Sequence, residues 1–265
     1  MSGFLLEVDG VCPVCEQQAT FTAKDEWLRD HFLCGNCGSQ PRERALMKVL
    51  ADLRPDWRSL AIHESSPGTA ASRRLAAEAP GYVSSHYGPD VPLGAAHPQW
   101  GWRCEDLENQ TFPDKSFDLV VTQDVFEHLF APDRAIAEVG RTLKPGGFHI
   151  CTVPIVNKAA PSVRRARRDR QGKVEHLMEP VYHANPIDVQ GSLVTVDWGY
   201  DIADYLDEAS GLSTTIWTLD DMSRGIRAEY IEVLVSRKEP QSQVTPDGLP
   251  APWKGVRETI RRLLS

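Results

Sequence analysis

Four of the six cysteines form two Cys-x-x-Cys pairs, Cys12-Pro-Val-Cys15 and Cys34-Gly-Asn-Cys37, with eighteen residues between them. Each pair can form a tight turn, and four thiolates together complete the closed tetrahedral shell of a structural zinc ion. Two reduced pairs without a metal are the alternative. The spacing favours zinc and predicts a zinc-ribbon-like module over residues 1–40, whose folding depends on the metal.

A second group of reactive side chains follows a bulky apolar segment, Phe117–Thr122, in Gln123-Asp-Val-Phe-Glu-His128. The ordinary pKa of about 6.5 suits His128 to act as a general base. Glu127 and His128 can equally anchor the turn that follows the strand. A third interpretation is a divalent ion, Mg²⁺ or Mn²⁺, held by Asp124, Glu127, His128 and either His176 or His183.

Residues 154–196 carry a third set of polar side chains. The run 164–170 contains five arginines, which either bind an acidic group on a substrate or form a solvated surface. In Tyr182-His-Ala-Asn185, an aromatic ring, an imidazole and an amide suit a polyhydroxylated molecule, and His183 is the rival general base. The predicted substrate-binding residues are Asp124, Glu127, His176, Tyr182 and Asn185.

Strands and helices alternate between these groups. The apolar pattern predicts strands at 59–62, 82–85, 117–122, 148–153, 214–219 and 230–235, and helices at 69–78, 134–143 and 199–209. This alternation indicates a parallel sheet with helices on both faces. In such sheets ligands bind at the carboxyl ends of the strands, where the strand order reverses.

Two segments carry a specific resemblance: 112–129, FPDKSFDLVVTQDVFEHL, and 143–147, LKPGG. Their combination closely resembles class I S-adenosylmethionine-dependent methyltransferases. The resemblance implies a Rossmann-like α/β fold, with a mostly parallel seven-stranded sheet over residues 57–238, and methyl transfer from S-adenosylmethionine. In that family, an insertion such as 154–196 commonly caps the acceptor side.

The same resemblance assigns the segment His63–Gly68 to the loop that holds the methionine part of the cofactor. A helix starting near Thr69 is expected to point free backbone N–H groups at the cofactor carboxylate. The segment Val83–His86 has no acid at its end for the ribose, so His86 or Ser85 is the expected substitute. Asp106 is expected at the adenine, or else only caps a turn. The predicted cofactor-binding residues are His63, Glu64, Ser65, Gly68, His86, Tyr87, Asp106, Leu107 and Gln123.

Composition narrows the remaining choices. The net charge of −8 disfavours nucleic acid as a partner. No apolar run is long enough to span a bilayer, and the N-terminus does not resemble a signal peptide, so a cytoplasmic protein is expected. The prediction is O-methylation of a small molecule or a glycan hydroxyl. The alternatives are an RNA or protein methyltransferase and a non-catalytic binding module. A connecting helix at 41–56 and a linker with a C-terminal helix at 239–265 complete the predicted organisation, and a homodimer stays open.

Overall fold

The computed structural model describes residues 3–185 and 189–240; the linker beyond 240 and the predicted C-terminal helix lie outside them. The N-terminal part is a three-stranded antiparallel sheet with one short helix before its third strand and a longer helix after it. The elements are β1 (Leu6–Val11), β2 (Gln18–Ala23), α1 (Leu28–His31), β3 (Leu33–Cys34) and α2 (Pro41–Leu53). Helix α2 begins with a proline, and a capping box links Gln40 and Glu43.

A seven-stranded sheet forms the rest of the core, with helices on both faces. Its first five strands and three helices are β4 (Ile62–Ser65), α3 (Ala70–Glu78), β5 (Tyr82–His86), β6 (Arg103–Cys104), β7 (Phe117–Gln123), α4 (Pro132–Thr142), β8 (Leu143–Thr152) and α5 (Ile202–Ser210). Six short strands lie between β8 and α5, and the last two strands of the large sheet follow α5. The six short strands are β9 (Val163–Arg164), β10 (Ala166–Arg168), β11 (Val174–His176), β12 (Tyr182–His183), β13 (Ser192–Leu193) and β14 (Val196–Asp197). The last two strands of the large sheet are β15 (Ser213–Trp217) and β16 (Val233–Arg237).

The sheet order is β15-β16-β8-β7-β4-β5-β6. Strands β4 to β8 are parallel. At one edge β16 pairs antiparallel with β8, and β15 pairs antiparallel with β16, so β16 alone runs against the other six strands. The predicted Rossmann-like fold with a mostly parallel seven-stranded sheet is therefore confirmed. Strand order reverses between β4 and β7, which places the principal ligand site of such a fold at their carboxyl ends.

Several element boundaries differ from the sequence predictions, and two of these differences change where the sequence motifs lie. Strand β4 continues through Ser65, because residues 62–65 pair with β5 on one side and β7 on the other. His63, Glu64 and Ser65 are consequently buried in the sheet instead of lying in a loop. Strand β8 starts at Leu143 and includes the Lys-Pro-Gly-Gly segment that was expected to separate helix from strand.

The insertion between β8 and α5 forms three two-stranded sheets, β10–β11, β12–β13 and β9–β14. Four of the five arginines at 164–170 have partners within the protein: Arg165 pairs with Asp197 at 2.6 Å, and Arg167 with Glu175 at 2.7 Å. Arg164 and Arg168 donate to the carbonyls of Phe130 and Gly172. The run is thus mainly a structural feature of the insertion.

Arg44 of α2 joins the N-terminal sheet to the main body. Its side chain is fully buried, and its Nη2 donates to the carbonyl oxygens of Phe32 and Gly225, each at 2.7 Å. The guanidinium also lies 4.8 Å from the ring centroid of Phe21. The two parts of the chain therefore share one continuous core. Among the residues that the structure describes, no helix is long and apolar enough to cross a membrane.

Candidate functional site

A cavity of about 1470 Å³ opens at the carboxyl ends of β4 and β7. Both strands are followed by a non-glycine residue in the left-handed region, Ser66 with φ +58° and Asp124 with φ +53°. Such backbone conformations are held in place by surrounding structure and cluster at binding sites. The cavity exceeds the 300–1000 Å³ that is typical of a site for one small ligand, so two ligands can occupy it together.

The turn Ser66-Pro-Gly-Thr69 forms the floor of the cavity. A Cβ added to Gly68 meets no atom within 4 Å, so the backbone here is open to a ligand. The N–H groups of the following helix are less available than expected. The Ala71 N–H donates to Glu43 of α2, and the Ser72 N–H donates to the Thr69 hydroxyl. The expectation of free helix N–H groups at this end of α3 is therefore corrected for these two positions.

Glu64 lies beneath this turn and organises it. Its carboxylate accepts hydrogen bonds from Ser72 (2.7 Å), Tyr82 (2.7 Å) and Gln123 (2.8 Å). Burial raises the pKa of Glu64, and these three donors oppose that shift. Gln123 also donates to Thr69 and lines the cavity, whereas Glu64 does not line it. Glu64 thus acts through Gln123 and the turn.

Four other predicted cofactor-binding residues do not line the cavity. His63 stacks on Phe117 and bonds to Ser85, so neither the imidazole nor the Ser85 hydroxyl is free at the site. The remaining three are Ser65, Asp106 and Leu107. Asp106 accepts a hydrogen bond from the Glu108 N–H, which is the turn-capping role given as its alternative, and Leu107 belongs to the apolar core.

His86 and Tyr87 form the wall beyond the end of β5. The His86 ring lies 5.4 Å from that of Trp102, and burial lowers the pKa of His86, so it is neutral near pH 7. Tyr87 is largely exposed. At the end of β5, where the sequence has no acid for the ribose, His86 offers a neutral imidazole and Tyr87 an exposed aromatic face.

Opposite the turn, Glu127, His128 and His183 bring three potential ligand atoms within 4.8 Å of one another. Glu127 Oε1 lies 3.7 Å from His128 Nε2 and 3.8 Å from His183 Nδ1. His128 Nδ1 donates to the carbonyl of Leu193 at 2.9 Å, which leaves Nε2 as the acceptor that faces Glu127. Burial lowers the pKa of His128 to about 4, so the ring is neutral near pH 7. By these distances His128 and His183, the two candidate general bases, lie next to each other.

Part of the cavity wall comes from the N-terminal module. Trp27, Arg29 and Arg42 line the cavity together with Tyr230. The Asp124 carboxylate accepts from Arg29 Nη2 at 2.9 Å and pairs with Arg42 Nε at 2.9 Å. These arginines hold the pKa of Asp124 below its usual range, against the effect of burial. Nothing in the local sequence around residues 27–42 indicates this role, because the partners are about 90 residues apart.

The insertion supplies the remaining wall through Tyr182, His183 and Asn185. Tyr182 is more than half exposed, and the Asn185 amide donates to the Ser192 hydroxyl at 2.8 Å. His176 lies instead in the β10–β11 hairpin, exposed and away from the cavity lining. Of the five residues predicted to bind substrate, four line the cavity.

At the other end of the N-terminal module, the sulfur atoms of Cys12, Cys15, Cys34 and Cys37 lie within 4.8 Å of one another. All four are free thiols, and the Sγ atoms of Cys12 and Cys37 are 3.8 Å apart. A tetrahedral zinc ion with bonds of about 2.3 Å needs a sulfur–sulfur distance of about 3.8 Å. The cluster predicted from the two Cys-x-x-Cys pairs therefore has the dimensions of a zinc site.

Comparisons with known proteins agree with this architecture. Residues 70–151 match a family model described as a methyltransferase domain. A ubiquinone/menaquinone biosynthesis C-methyltransferase, UbiE of Hydrogenovibrio crunogenus, is 28% identical over 121 residues, which span 40% of this chain and 47% of that enzyme. The chain thus aligns with less than half the length of this relative.

The chain is also similar to two solved structures at low sequence identity. An S-adenosylmethionine-dependent methyltransferase from Mesorhizobium loti is 18% identical, with a TM-score of 0.47 over 73% of this chain and 98% of the other. CalS10, an amino pentose methyltransferase from Micromonospora echinaspora, is 17% identical, with a TM-score of 0.47 over 76% of this chain and 92% of the other.

Proposed function

We propose that the chain transfers a methyl group from S-adenosylmethionine to a hydroxyl oxygen of a small, polyhydroxylated acceptor such as a sugar. The match to a methyltransferase family model over residues 70–151 and the seven-stranded sheet support this proposal. The observation that carries the proposal is the cavity at the point where strand order reverses. The Ser66–Thr69 turn bounds one side of it, and the Glu127, His128 and His183 cluster bounds the other.

The residues present fit the cofactor. The open backbone at Gly68 and the Gln123 side chain supply close approach and a polar contact, and Tyr87 supplies an exposed ring. The cofactor brings an electrophilic methyl group on a sulfonium. In the transfer a C–O bond forms, the C–S bond breaks with its electron pair returning to sulfur, and the acceptor hydroxyl loses a proton. The histidine cluster lies on the side of the cavity where this proton must be removed.

Aromatic and hydrogen-bonding side chains alternate around the acceptor half of the cavity. Trp27 and Tyr182 are each about half exposed, at 44% and 53% of their surface. Exposed rings beside an amide and a hydroxyl, here Asn185 and Ser192, suit a ligand with apolar ring faces and many hydroxyls. This mixture supports a sugar or another polyol as the acceptor.

The polymer-binding alternative has weaker support. Binding to RNA relies on cations that neutralise phosphates, but the arginines at 164, 165, 167 and 168 already have partners within the protein. The chain also has a net charge of −8. A non-catalytic module would have no need for a cluster of ionisable groups that faces the same cavity as the cofactor turn.

We also propose that the four cysteines hold a structural zinc ion. Their sulfur spacing matches a tetrahedral shell, and the small β1–β3 sheet has little apolar core of its own apart from the surface that it shares with α2. The ion then fixes the module that presents Trp27 and Arg29 to the cavity.

Calorimetric titration of the full-length, zinc-loaded protein with S-adenosylhomocysteine tests the cofactor site. We expect micromolar binding, reduced at least about 100-fold by Gly68→Trp, since the indole occupies open space at the turn. Gly3→Trp is the matched control, because Gly3 also has no atom within 4 Å of an added Cβ and lies outside the cavity. No binding to the unmodified protein, or equal binding by both variants, would contradict the proposal.

Methyl transfer itself is tested by incubating the protein with S-adenosylmethionine and a panel of sugars, polyols and RNA. Mass spectrometry then locates any added methyl group. A product methylated on oxygen supports the proposal, whereas methylation of RNA at low salt, lost at high salt, would favour the polymer alternative.

A further inference from the structure

The Glu127 carboxylate is buried at 2% exposure, and neither of its oxygens has a hydrogen-bond partner among the described residues. An unpaired carboxylate in such a place is costly unless a proton or a cation compensates it. The nearest arginine, Arg29, is already paired with Asp124 at 2.9 Å. Without a bound proton or cation, the charge of the Glu127 carboxylate is therefore uncompensated.

Two imidazoles supply the missing environment. His128 Nε2 and His183 Nδ1 lie 3.7 and 3.8 Å from Glu127 Oε1, and the two rings are perpendicular with centroids 5.0 Å apart. Ligands of one metal ion with bonds of about 2.1 Å lie about 3.0–3.5 Å from each other. Side-chain movements of less than about 1 Å thus bring the three atoms to bonding distance of a shared ion.

His128 also has the supporting hydrogen bond that is typical of a metal ligand. A ligating histidine almost always donates its other ring N–H to a carbonyl or carboxylate, which fixes the tautomer and the ring orientation. Here Nδ1 donates to the Leu193 carbonyl, and Nε2 points at Glu127. The backbone of Glu127 is fixed as well, since its carbonyl accepts from the Thr195 N–H at 2.7 Å.

We propose that Glu127, His128 and His183 bind a divalent transition-metal ion, separate from the cysteine cluster, that coordinates the hydroxyl of the acceptor. Two imidazole nitrogens and one carboxylate suit Zn²⁺, Mn²⁺ or Fe²⁺ better than Mg²⁺, which prefers oxygen ligands. Asp124 and His176 are not part of this site: Asp124 is paired with two arginines, and His176 lies outside the cavity. This departs from the set predicted from sequence.

The role of the ion rests on the proposed function. The three protein ligands come from one wall of the cavity, so the remaining coordination positions face the acceptor. The ion acts there as a Lewis acid that lowers the pKa of the coordinated hydroxyl. The proton passes to water at the cavity mouth, where His183 is partly exposed, and the oxygen electron pair then forms the new bond to the methyl carbon.

Mn²⁺ binding to the full-length protein, supplied with only one zinc ion per chain so that zinc fills the tighter cysteine cluster, tests the site without any assay of activity. Electron paramagnetic resonance counts the free Mn²⁺ that remains during a titration, and thiolate sites such as the cysteine cluster favour zinc over manganese. We expect about one bound Mn²⁺ per chain. Changes in second-shell partners alone cost about 10–100-fold in metal affinity, so Glu127→Gln and His183→Ala, which remove ligands, should each weaken binding by at least that much.

His176→Ala is the matched control, since it removes an exposed histidine of the same insertion that lies outside the cavity. It should bind Mn²⁺ as the unmodified protein does, and circular dichroism should show that all three variants are folded. No Mn²⁺ bound at about 1 mM, or binding that is unchanged in Glu127→Gln and His183→Ala, would overturn the proposal.

The calorimetric titration with S-adenosylhomocysteine separates the two proposals. Cofactor binding without Mn²⁺ binding would refute the metal site alone. Mn²⁺ binding that depends on Glu127 and His183, in a protein that does not bind the cofactor product, would support the metal site and refute the methyltransferase function.

Discussion

Replacing Asp124 by asparagine tests whether the N-terminal module is held against the cavity by charge. Asp124 accepts hydrogen bonds from Arg29 (2.9 Å) and from the Thr152 hydroxyl (3.1 Å), and pairs with Arg42 (2.9 Å). Its φ of +53° is a conformation that asparagine adopts readily, so the substitution does not strain the backbone. The change therefore removes one negative charge and little else.

The expected cost follows from the burial of the three side chains. They are 19%, 10% and 15% exposed for Asp124, Arg29 and Arg42. Breaking one side of a buried pair costs about 3–5 kcal/mol because it leaves an uncompensated charge. Since these groups retain some solvent contact, we expect a loss of about 3 kcal/mol in the free energy of unfolding. For a chain of this size that corresponds to a decrease of about 6–12 °C in Tm.

Urea unfolding, followed by tryptophan fluorescence, measures the change for Asp124→Asn, Arg29→Met and the double variant. Because the two groups interact directly, the double variant should be at least about 1 kcal/mol more stable than the sum of the single losses predicts. Asp220→Asn is the control, since its pair with Arg227 is largely exposed and should contribute less than about 1 kcal/mol. An effect of Asp124→Asn below about 0.5 kcal/mol, or strict additivity, would refute the reasoning.

Three further predictions concern the cysteine cluster, the Arg44 junction between the N-terminal sheet and the main body, and the buried His63. Cys34→Ser should release zinc and increase amide hydrogen exchange throughout β1–β3, whereas Cys104→Ser should retain about one zinc per chain by elemental analysis; equal zinc in both would contradict the assignment. Arg44→Met leaves the carbonyls of Phe32 and Gly225 without their donor, so urea unfolding should show a loss of about 3 kcal/mol, and a change below 1 kcal/mol would count against this junction. Burial, with a smaller effect of Arg103, lowers the pKa of His63 to about 3, so below pH 6.5 the unfolded chain binds a proton that the folded chain does not. Stability should therefore fall by about 1.4 kcal/mol per pH unit from 6.5 toward 4 on account of this group, and His63→Gln should reduce the slope by that amount; an unchanged slope would exclude the effect.

Local sequence spacing was sufficient to predict a site wherever its residues lie close together in the chain. The two Cys-x-x-Cys pairs bring four sulfur atoms together because each pair forms its own turn, and only the association of the two turns is nonlocal. The strand before Gln123 and the turn that carries Glu127 and His128 were predictable for a similar reason. A run of bulky apolar residues specifies a buried strand, and the polar residues that end it must lie at the edge of the sheet.

The positions of the other predicted site residues depend on strand register and on packing between residues far apart in the chain. His63 and Glu64 look like loop residues in the sequence, but pairing of β4 with both neighbours buries them, and Glu64 acts through Gln123 instead of through a ligand. Asp106 accepts a hydrogen bond from the Glu108 N–H and does not line the cavity. Such outcomes depend on where a strand ends to within one or two residues, which hydrophobic patterns do not specify.

The sequence by itself determined the fold class, the cysteine cluster and the edge of the sheet at which the chemistry takes place. These follow from composition, periodicity and short-range spacing, which act within one or two turns of the chain. Only the tertiary structure decided that Trp27 and Arg29 of the N-terminal module complete the cavity, and that His183, not His176, joins Glu127 and His128. These contacts join residues about 50–100 positions apart, and their partners are selected by packing of the whole core instead of by any local pattern.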